Sequence, residues 1–228
     1  MTDERKEIAE VLLTDRLYLY SLLYKCFGRE ADLAQLELLA SEQTGQSFAI
    51  LGGEVLEKVP SFLAELRKDL ERPDFLKRVK SEYMRLFIGP EKLIAPPWES
   101  VYRGEDALLF QDSTLEVRET YRAFGMQAED YLRVPDDSLA LELVFMSTLA
   151  ERALNAFLEY NMEKLRKNLD GSEKFLREHL LQWIPKFLER MAESPTDALY
   201  PQLCLILDSF LKKDQELLTE LLSELSVE

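Results

Sequence analysis

The 228-residue sequence has few of the residues that several large protein classes require. It contains two cysteines, Cys26 and Cys204, and a single histidine, His179. Two distant cysteines in apolar surroundings can build neither a disulfide framework nor a thiolate metal site, so we expect both to be reduced and buried. One histidine excludes histidine-rich metal centres and most Ser-His or Cys-His machinery, so we expect His179 to be structural.

Further absences concern membranes, cofactors and catalysis. No stretch of about 18 uncharged apolar residues is present, and the charged first ten residues do not resemble a signal peptide. The sequence has no phosphate-binding glycine loop, no dinucleotide fingerprint, no Gly-x-Ser-x-Gly elbow and no Glu-x-x-His pair. We therefore predict a cytoplasmic protein that is not an enzyme, with no catalytic residues, no metal and no cofactor.

The charge is strongly negative. Acidic residues outnumber basic ones 43 to 28, which gives a formal net charge of -15. This balance disfavours nucleic acid and anionic membrane surfaces as partners, because both are bound through Lys and Arg. It permits a positively charged partner, although a solvated acidic surface would give the same total.

The composition predicts helices. Leucine is abundant, with 44 residues, whereas the β-branched residues that favour strands are scarce. We predict an all-α fold, a single globular domain of about nine helices. The apolar face of the first helix is predicted to comprise Ile8, Val11, Leu12, Leu19, Leu22 and Leu23. The predicted helices cover about 3–27, 32–41, 55–70 with a kink or restart at Pro60, 74–86, 113–124, 135–160, 173–191, 197–211 and 214–225. Breaks are predicted between Gly45 and Gly53 and at Asp170–Ser172.

The helical pattern stops between Phe87 and Leu109. Five Gly and Pro residues interrupt this stretch, yet it is rich in apolar and aromatic side chains. Loops of about 20 residues are uncommon in compact domains and are usually functional or disordered, and the apolar content argues against disorder. We therefore predict a long ordered central loop with a functional role.

Three motifs carry a family resemblance. Residues 86–90 read Leu-Phe-Ile-Gly-Pro, residues 95–102 read Ala-Pro-Pro-Trp-Glu-Ser-Val-Tyr, and residues 135–143 read Pro-Asp-Asp-Ser-Leu-Ala-Leu-Glu-Leu. Together they resemble the TorD/DmsD/NarJ family of redox-enzyme maturation proteins, and the chain length and helical layout extend the likeness over most of the sequence. The resemblance implies an all-α chaperone that binds the twin-arginine signal peptide of a molybdenum-cofactor oxidoreductase. Such a chaperone delays export until the cofactor has been inserted.

The resemblance also implies a set of peptide-binding residues. The motif positions that match the family are Leu86, Phe87, Gly89, Pro90, Pro96, Pro97, Trp98, Ser100, Tyr102, Pro135, Asp137 and Glu142. The predicted signal-peptide-binding residues are Leu86, Phe87, Pro97, Trp98, Tyr102, Pro135, Asp137, Ser138 and Glu142. Ser138 stands where the family usually has histidine, so the titratable ring is lost, and Ser is also a good helix N-cap.

The implied peptide suits these residue types. Carboxylates such as Asp137 would pair with its arginines, while Trp98, Leu86 and Phe87 would contact its apolar run. Residues 86–142 carry 12 acids and 5 bases, a net charge of -7, which predicts a local negative field there. Structural roles remain open alternatives: Trp98 could anchor the loop, Leu86 and Phe87 could be core residues, and Asp137 could stabilise a helix start.

Other functions and assemblies also remain open at this point. The chain could be an assembly factor that binds the folded enzyme body, or a small-molecule-binding or catalytic helical domain. We predict an N-terminal lobe over about 1–125, a hinge at about 126–137 and a C-terminal lobe over about 138–228. A monomer and a lobe-swapped dimer are both compatible with the sequence.

Overall fold

The computed structural model describes residues 3–52, 57, 59–89, 92–104, 112–127 and 135–225. Within these ranges the chain forms eleven α-helices and two π-helical segments, and the β-type pairing is limited to an isolated bridge between Trp98 and Ser138. The predicted all-α class is therefore confirmed. No helix in these ranges is long and apolar enough to cross a membrane.

The helices follow one another with short connections. They are α1 (Asp3–Gly28), α2 (Leu33–Leu39), α3 (Glu42–Leu51), α4 (Val59–Leu70), α5 (Phe75–Tyr83), π1 (Met84–Ile88), α6 (Ser100–Arg103), α7 (Asp112–Ala123), α8 (Leu139–Leu158), α9 (Met162–Phe175), π2 (Leu176–Leu180), α10 (Leu181–Met191) and α11 (Tyr200–Glu224).

One continuous apolar core joins the early and late parts of the chain. Helix α1 packs along α8, α8 packs along α9, and α11 contacts α1, α3, α9 and α10. Cys26 and Cys204 are buried and form no disulfide, as expected from their apolar surroundings. The predicted hinge at 126–137 includes residues 128–134, which lie outside the described ranges, so the lobe division stays a prediction.

The predicted apolar face of α1 is correct in its second half and wrong in its first. Leu19 and Leu22 are buried, but Ile8 is 55% exposed and Val11 is 47% exposed. The buried stripe runs instead through Ala9, Leu13, Arg16, Tyr20 and Leu23. A search for hydrophobic periodicity misses this stripe because it contains the charged residue Arg16. Arg16 is buried because the carboxylate of Asp214 pairs with it.

Three predicted breaks are not breaks. Gly45 lies inside α3, Gly171 lies inside α9, and Asp214 lies inside α11, where two separate helices were expected. A Cβ atom at Gly171 would come within 2.2 Å of the Phe124 ring, so this glycine serves a close packing contact within a helix. Asp214 is buried, and its carboxylate binds the guanidinium of Arg16.

Other boundaries depend on caps. Pro60 is the second residue of α4, which agrees with the predicted restart, while Val55 and Leu56 lie outside the described residues. Helix α7 begins at Asp112, one residue before the predicted cap Ser113. Helix α11 starts just after the predicted boundary at 194–196, where the carboxylate of Glu82 accepts backbone N–H groups of residues 198–200 at 2.8–3.0 Å.

Candidate functional site

The central loop and the start of α8 form one unit. The backbone N–H of Leu139 donates to the carbonyl of Pro97 at 2.9 Å, and the N–H of Glu99 donates to the carbonyl of Asp137 at 3.0 Å. The N–H of Ser100 donates to Oδ2 of Asp137 at 2.7 Å, across 37 positions of sequence. Two motifs that the sequence keeps far apart are thereby brought together.

Asp137 and Ser138 act on different helices. Asp137 is fully buried, and its carboxylate binds the first N–H of α6. Ser138 is the N-cap of α8, with its Oγ accepting the N–H of Leu141 at 3.4 Å. The helix therefore begins at Leu139, later than the predicted opening at Pro135, and serine supplies a cap at the position where the family usually has histidine.

Four carboxyl groups lie in the interior beside this junction, and each has a different partner. The first is Asp137, which is bonded to the N–H of Ser100. Glu99 binds Arg103 at 2.5 Å and lies 3.1 Å from Nδ1 of His179. Asp136 pairs with Arg118 at 2.6 Å. The fourth group, Glu142, accepts a hydrogen bond from Nε1 of Trp183 at 3.0 Å. All four groups are buried, so the electrostatic interactions among them are not screened by water.

The position of Glu142 changes its protonation. Burial raises the pKa of the Glu142 carboxyl well above its ordinary value, and the nearby charges of Glu99 and Asp137 raise it further. The hydrogen bond from Trp183 acts in the opposite direction but is outweighed. The arrangement favours a neutral, protonated Glu142.

His179 and Glu99 connect the loop to the C-terminal helices. His179 is buried, and its ring packs 4.7 Å from that of Phe175, which agrees with the predicted structural role. Glu99 is bonded to both Arg103 and His179, yet it is not among the predicted signal-peptide-binding residues. Two features of the sequence could have identified Glu99. It lies inside the Pro-Pro-Trp-Glu-Ser motif, and a carboxylate is a suitable partner for the lone histidine.

The aromatic candidates belong to two separate groups. Phe87, in π1, lies 5.2 Å from Tyr83 and 5.1 Å from Tyr200 in ring-centroid distance, and Leu86 is fully buried beside it. Tyr102 stacks on Trp183 at 5.5 Å with an interplanar angle of 24°. These residues pack as core residues, so the structure does not bring Phe87 and Tyr102 into one aromatic wall.

Burial separates the predicted peptide-binding residues into two sets. Pro97 and Trp98 are half-buried and reach the surface. The buried set comprises Leu86, Phe87, Tyr102, Pro135, Asp137, Ser138 and Glu142. A peptide can reach these side chains only if the structure opens locally, and at Asp137 this means movement of the loop segment bonded to it. Pro90, which the motif also includes, lies outside the described residues.

Several buried polar atoms at the junction have no hydrogen-bond partner among the described residues. They include Oδ1 of Asp137, Oε1 of Glu142, Oγ of Ser100, Nε1 of Trp98 and the hydroxyl of Tyr102. Buried polar groups in folded proteins are nearly always paired, so such a concentration calls for an explanation. Among the described residues, no group of three or more His, Cys, Asp or Glu side chains is arranged to hold a metal ion.

The predicted local negative field stays a prediction, because the structure describes seven of the twelve acids of residues 86–142. Four of them, Glu99, Asp136, Asp137 and Glu142, are buried, whereas Asp112, Glu116 and Glu119 are exposed on α7. Glu91, Glu105, Asp106, Glu129 and Asp130 lie outside the described residues. The carboxylates act mainly inside the protein, where their effect is local and specific.

Known proteins resemble this chain over most of its length. Chaperone protein TorD of Vibrio parahaemolyticus is 28% identical over 203 residues, which cover 87% of this chain and 92% of the relative. The Tat proofreading chaperone DmsD of Salmonella typhi is 35% identical over 107 residues, covering 47% of this chain and 46% of that protein.

A solved structure and a family model agree with these relatives. An Archaeoglobus fulgidus protein assigned to redox enzyme maturation shares the fold, with a TM-score of 0.51, 21% identity and coverage of 86% of this chain and 93% of that one. The family model described as nitrate reductase delta subunit matches residues 53–189, more than half of the sequence. This match confirms the resemblance first seen in the loop and helix-start motifs: the chain belongs to the nitrate reductase delta subunit family, together with the TorD and DmsD chaperones.

Proposed function

We propose that this protein is a cytoplasmic maturation chaperone that binds the twin-arginine leader peptide of a molybdenum-cofactor oxidoreductase, and that it catalyses no reaction. Family membership and the chaperone names of its relatives support this proposal. Leader-peptide binding is typical of the family. The protein's own contribution is to hold the leader until the cofactor is in place, which requires reversible recognition of arginine and of an apolar run.

The observation that carries the proposal is an unpaired buried carboxylate oxygen at the loop junction. Oδ1 of Asp137 has no hydrogen-bond partner within the described ranges. An arginine guanidinium carries five N–H donors in a planar fork and binds carboxylates strongly. Asp137 is therefore the residue that we assign to a leader arginine.

Access to Asp137 requires the loop to open. The stretch from Pro97 to Ser100 lies over Asp137 and is tied to residues 137–139 by three hydrogen bonds. Each such bond contributes about 1 kcal/mol net, so opening is within the reach of a ligand that binds the open form preferentially. Pro97 and Trp98 are already half-exposed and would offer the apolar contact to the peptide.

A peptide titration tests the assigned role of Asp137. The probe is a labelled synthetic peptide with Arg-Arg followed by an apolar run, and the reference peptide has Gln-Gln in its place. We expect Asp137→Asn to weaken binding of the Arg-Arg peptide about tenfold or more, because the amide keeps the bond to Ser100 but loses the charge. Asp112→Asn, the same change at an exposed site on α7, is the matched control and should leave affinity unchanged.

Equal affinity of wild type and Asp137→Asn for the Arg-Arg peptide would remove Asp137 from the site. Equal affinity of the wild type for the Arg-Arg and Gln-Gln peptides would refute arginine recognition altogether. A second measurement uses the precursor enzyme with and without its leader in co-purification. We expect deletion of the leader to abolish the complex, and a complex that survives deletion would assign binding to the enzyme body.

A further inference from the structure

A second groove lies between α1 and α3, away from the loop junction. Its α1 wall is formed by Glu7, Glu10, Val11, Thr14 and Asp15, at the spacing of a single helix face. The α3 wall has the matching spacing and consists of Gln43, Gln46, Ser47 and Ile50. The two walls enclose a shallow groove of about 560 Å³.

Two hydrogen bonds join the helices that form the walls of this groove. Oγ of Ser47 donates to Oδ1 of Asp15 at 2.6 Å, and the hydroxyl groups of Tyr18 and Thr44 are 2.6 Å apart. These two bridges between α1 and α3 hold the walls at a constant separation. A groove that is preformed in this way needs little ordering when a ligand binds, which favours affinity.

The lining is both apolar and negative. Val11 on α1 and Ile50 on α3 are 47% and 49% exposed. Ile8, one turn before Val11, is 55% exposed. Three carboxylates lie among the nine lining residues, and none of the nine is Lys, Arg or His. Exposed branched apolar residues beside carboxylates match a ligand with apolar and positively charged side chains.

Charge selects the occupant. A second copy of this chain would bring another net charge of -15 to a negative groove, and nucleic acid or an anionic membrane would be repelled in the same way. We propose that the α1–α3 groove is a docking surface for a positively charged amphipathic segment of a partner protein. The segment lies along the groove with apolar side chains on Val11 and Ile50 and with basic side chains against Glu7, Glu10 and Asp15.

This surface is distinct from the leader site that we propose at the loop junction. The end of α1 lies beside the start of α8, because a Cβ at Gly28 would be 3.4 Å from that of Ala140. Glu10 is 18 residues earlier on the same helix, about 27 Å along its axis. The two surfaces can therefore bind two segments at once, and the groove does not depend on the leader site.

Peptide binding to paired variants tests the groove. The probe is a fluorescein-labelled synthetic helical peptide with arginines along one edge of a leucine face, and its reference peptide has glutamates in place of the arginines. We expect the Glu7→Lys/Glu10→Lys variant to bind the arginine peptide at least about tenfold more weakly than wild type. The Val11→Ser/Ile50→Ser variant should lose about fivefold, because it removes the apolar contact.

Matched controls keep the charge and the apolar change but move them out of the groove. Glu37→Lys/Glu151→Lys changes the net charge equally at exposed sites, and Leu158→Ser/Leu205→Ser removes two equally exposed apolar side chains. We expect both controls to keep wild-type affinity for the arginine peptide. Thermal melting followed by circular dichroism should find all four variants folded, since every changed side chain is exposed.

Three results would overturn the proposal. The first is that wild type does not bind the arginine peptide. The second is that the Glu37→Lys/Glu151→Lys control loses as much affinity as the groove variant, which would mean that binding depends on net charge alone. The third is loss of Arg-Arg leader-peptide binding in the groove variants, which would make the groove the leader's own site. Failure of the leader peptide to bind wild type, with the arginine–leucine peptide still bound in the groove, would refute the proposed function alone.

Discussion

Glu142 is a carboxyl group that the fold keeps neutral. It is completely buried and accepts a hydrogen bond from Nε1 of Trp183. Its pKa is raised by burial first and by Glu99 and Asp137 second. A neutral acid of this kind resembles a glutamine in shape and in hydrogen-bonding capacity, whereas an ionised one would be costly among other carboxylates.

The Glu142→Gln substitution should therefore be tolerated, and its effect on stability should depend on pH. In the unfolded chain Glu142 ionises near its ordinary pKa of 4.5, whereas in the folded protein it keeps its proton. A raised folded pKa lowers the free energy of unfolding as pH rises above about 4.5, and glutamine removes this loss. We expect Glu142→Gln to gain stability relative to wild type between pH 5 and pH 8, measured by urea unfolding.

Glu142→Ala provides the contrast to glutamine. It leaves the indole N–H of Trp183 buried and unpaired, and we expect it to cost about 1–3 kcal/mol at every pH. A constant difference between Glu142→Gln and wild type across this pH range would mean that the pKa of Glu142 is not raised. The residue would then be an ionised member of the cluster.

At the scale of elements, the contact between α9 and the end of α7 depends on Gly171, which has no side chain. A Cβ at Gly171 would lie 2.2 Å from Cζ of Phe124, at the end of a ring that also packs 5.8 Å from Phe145. Glycine inside a helix is about 1 kcal/mol less stable than alanine, so the sequence predicts a break in the helix at Gly171. The structure keeps the helix because the glycine allows Phe124 to approach its backbone.

Gly171→Ala should destabilise the protein in spite of the better helix propensity of alanine. The Phe124 ring must leave its position, and we expect a loss of about 1–3 kcal/mol in the free energy of unfolding. The effect should disappear when Phe124 is already Ala, since the clash is then absent, and a double-mutant cycle of urea unfolding measures this coupling. Gly45→Ala is the helical control, because its nearest atom is the flexible Cδ1 of Leu63 at 3.3 Å.

Additive effects of Gly171→Ala and Phe124→Ala would contradict this account of α9. The same cycle should also report on α7, since the position of Phe124 follows directly from the end of that helix. A stabilised Gly171→Ala variant would mean that the ring moves away freely. In that case the glycine would have no packing role.

At the scale of the whole molecule, a buried ion pair ties the first long helix to the last. The guanidinium of Arg16 binds both carboxylate oxygens of Asp214, at 2.5 and 3.0 Å, and the hydroxyl of Tyr20 donates to the same carboxylate at 2.7 Å. Both charged side chains are fully buried. Burial raises the pKa of Tyr20 well above its ordinary value, and the Asp214 charge adds to this, so the phenol stays protonated.

Breaking this pair should be far more damaging than replacing it. Asp214→Ala leaves a buried guanidinium without its carboxylate, and we expect a loss of about 3–5 kcal/mol in the free energy of unfolding. The double variant Arg16→Met/Asp214→Leu removes both charges and should recover most of that loss. Urea unfolding measures both. As a control on the same helix, Lys213→Ala breaks the pair with Glu216, whose side chain is 63% exposed, and should cost less than about 1 kcal/mol.

Equal instability of the single and double variants would contradict the ion-pair explanation and would assign the effect to lost packing volume. The pair also bears on the lobe-swapped dimer that the sequence leaves open, because Arg16 and Asp214 fall on opposite sides of the predicted hinge. An exchanged lobe must reform the same contact between two chains. Sedimentation of wild type over a range of concentrations would measure whether such a dimer forms.

Much of the fold follows from the sequence. Leucine abundance, scarce β-branched residues and helical periodicity determine the all-α class, and Pro195 and Pro60 mark helix boundaries correctly. The loop and helix-start motifs determine the family. These features are local, so each can be read from a few neighbouring residues without knowing what packs against them.

The tertiary structure alone decides the features that depend on distant partners. Arg16 is buried because Asp214 pairs with it, Gly171 continues a helix because Phe124 needs the space, and Ile8 and Val11 are exposed because the buried stripe passes beside them. The loop and α8 meet through Asp137, which no spacing in the sequence predicts. The sequence thus determines which residues are available, while long-range pairing of buried charge and volume decides which of them lie inside.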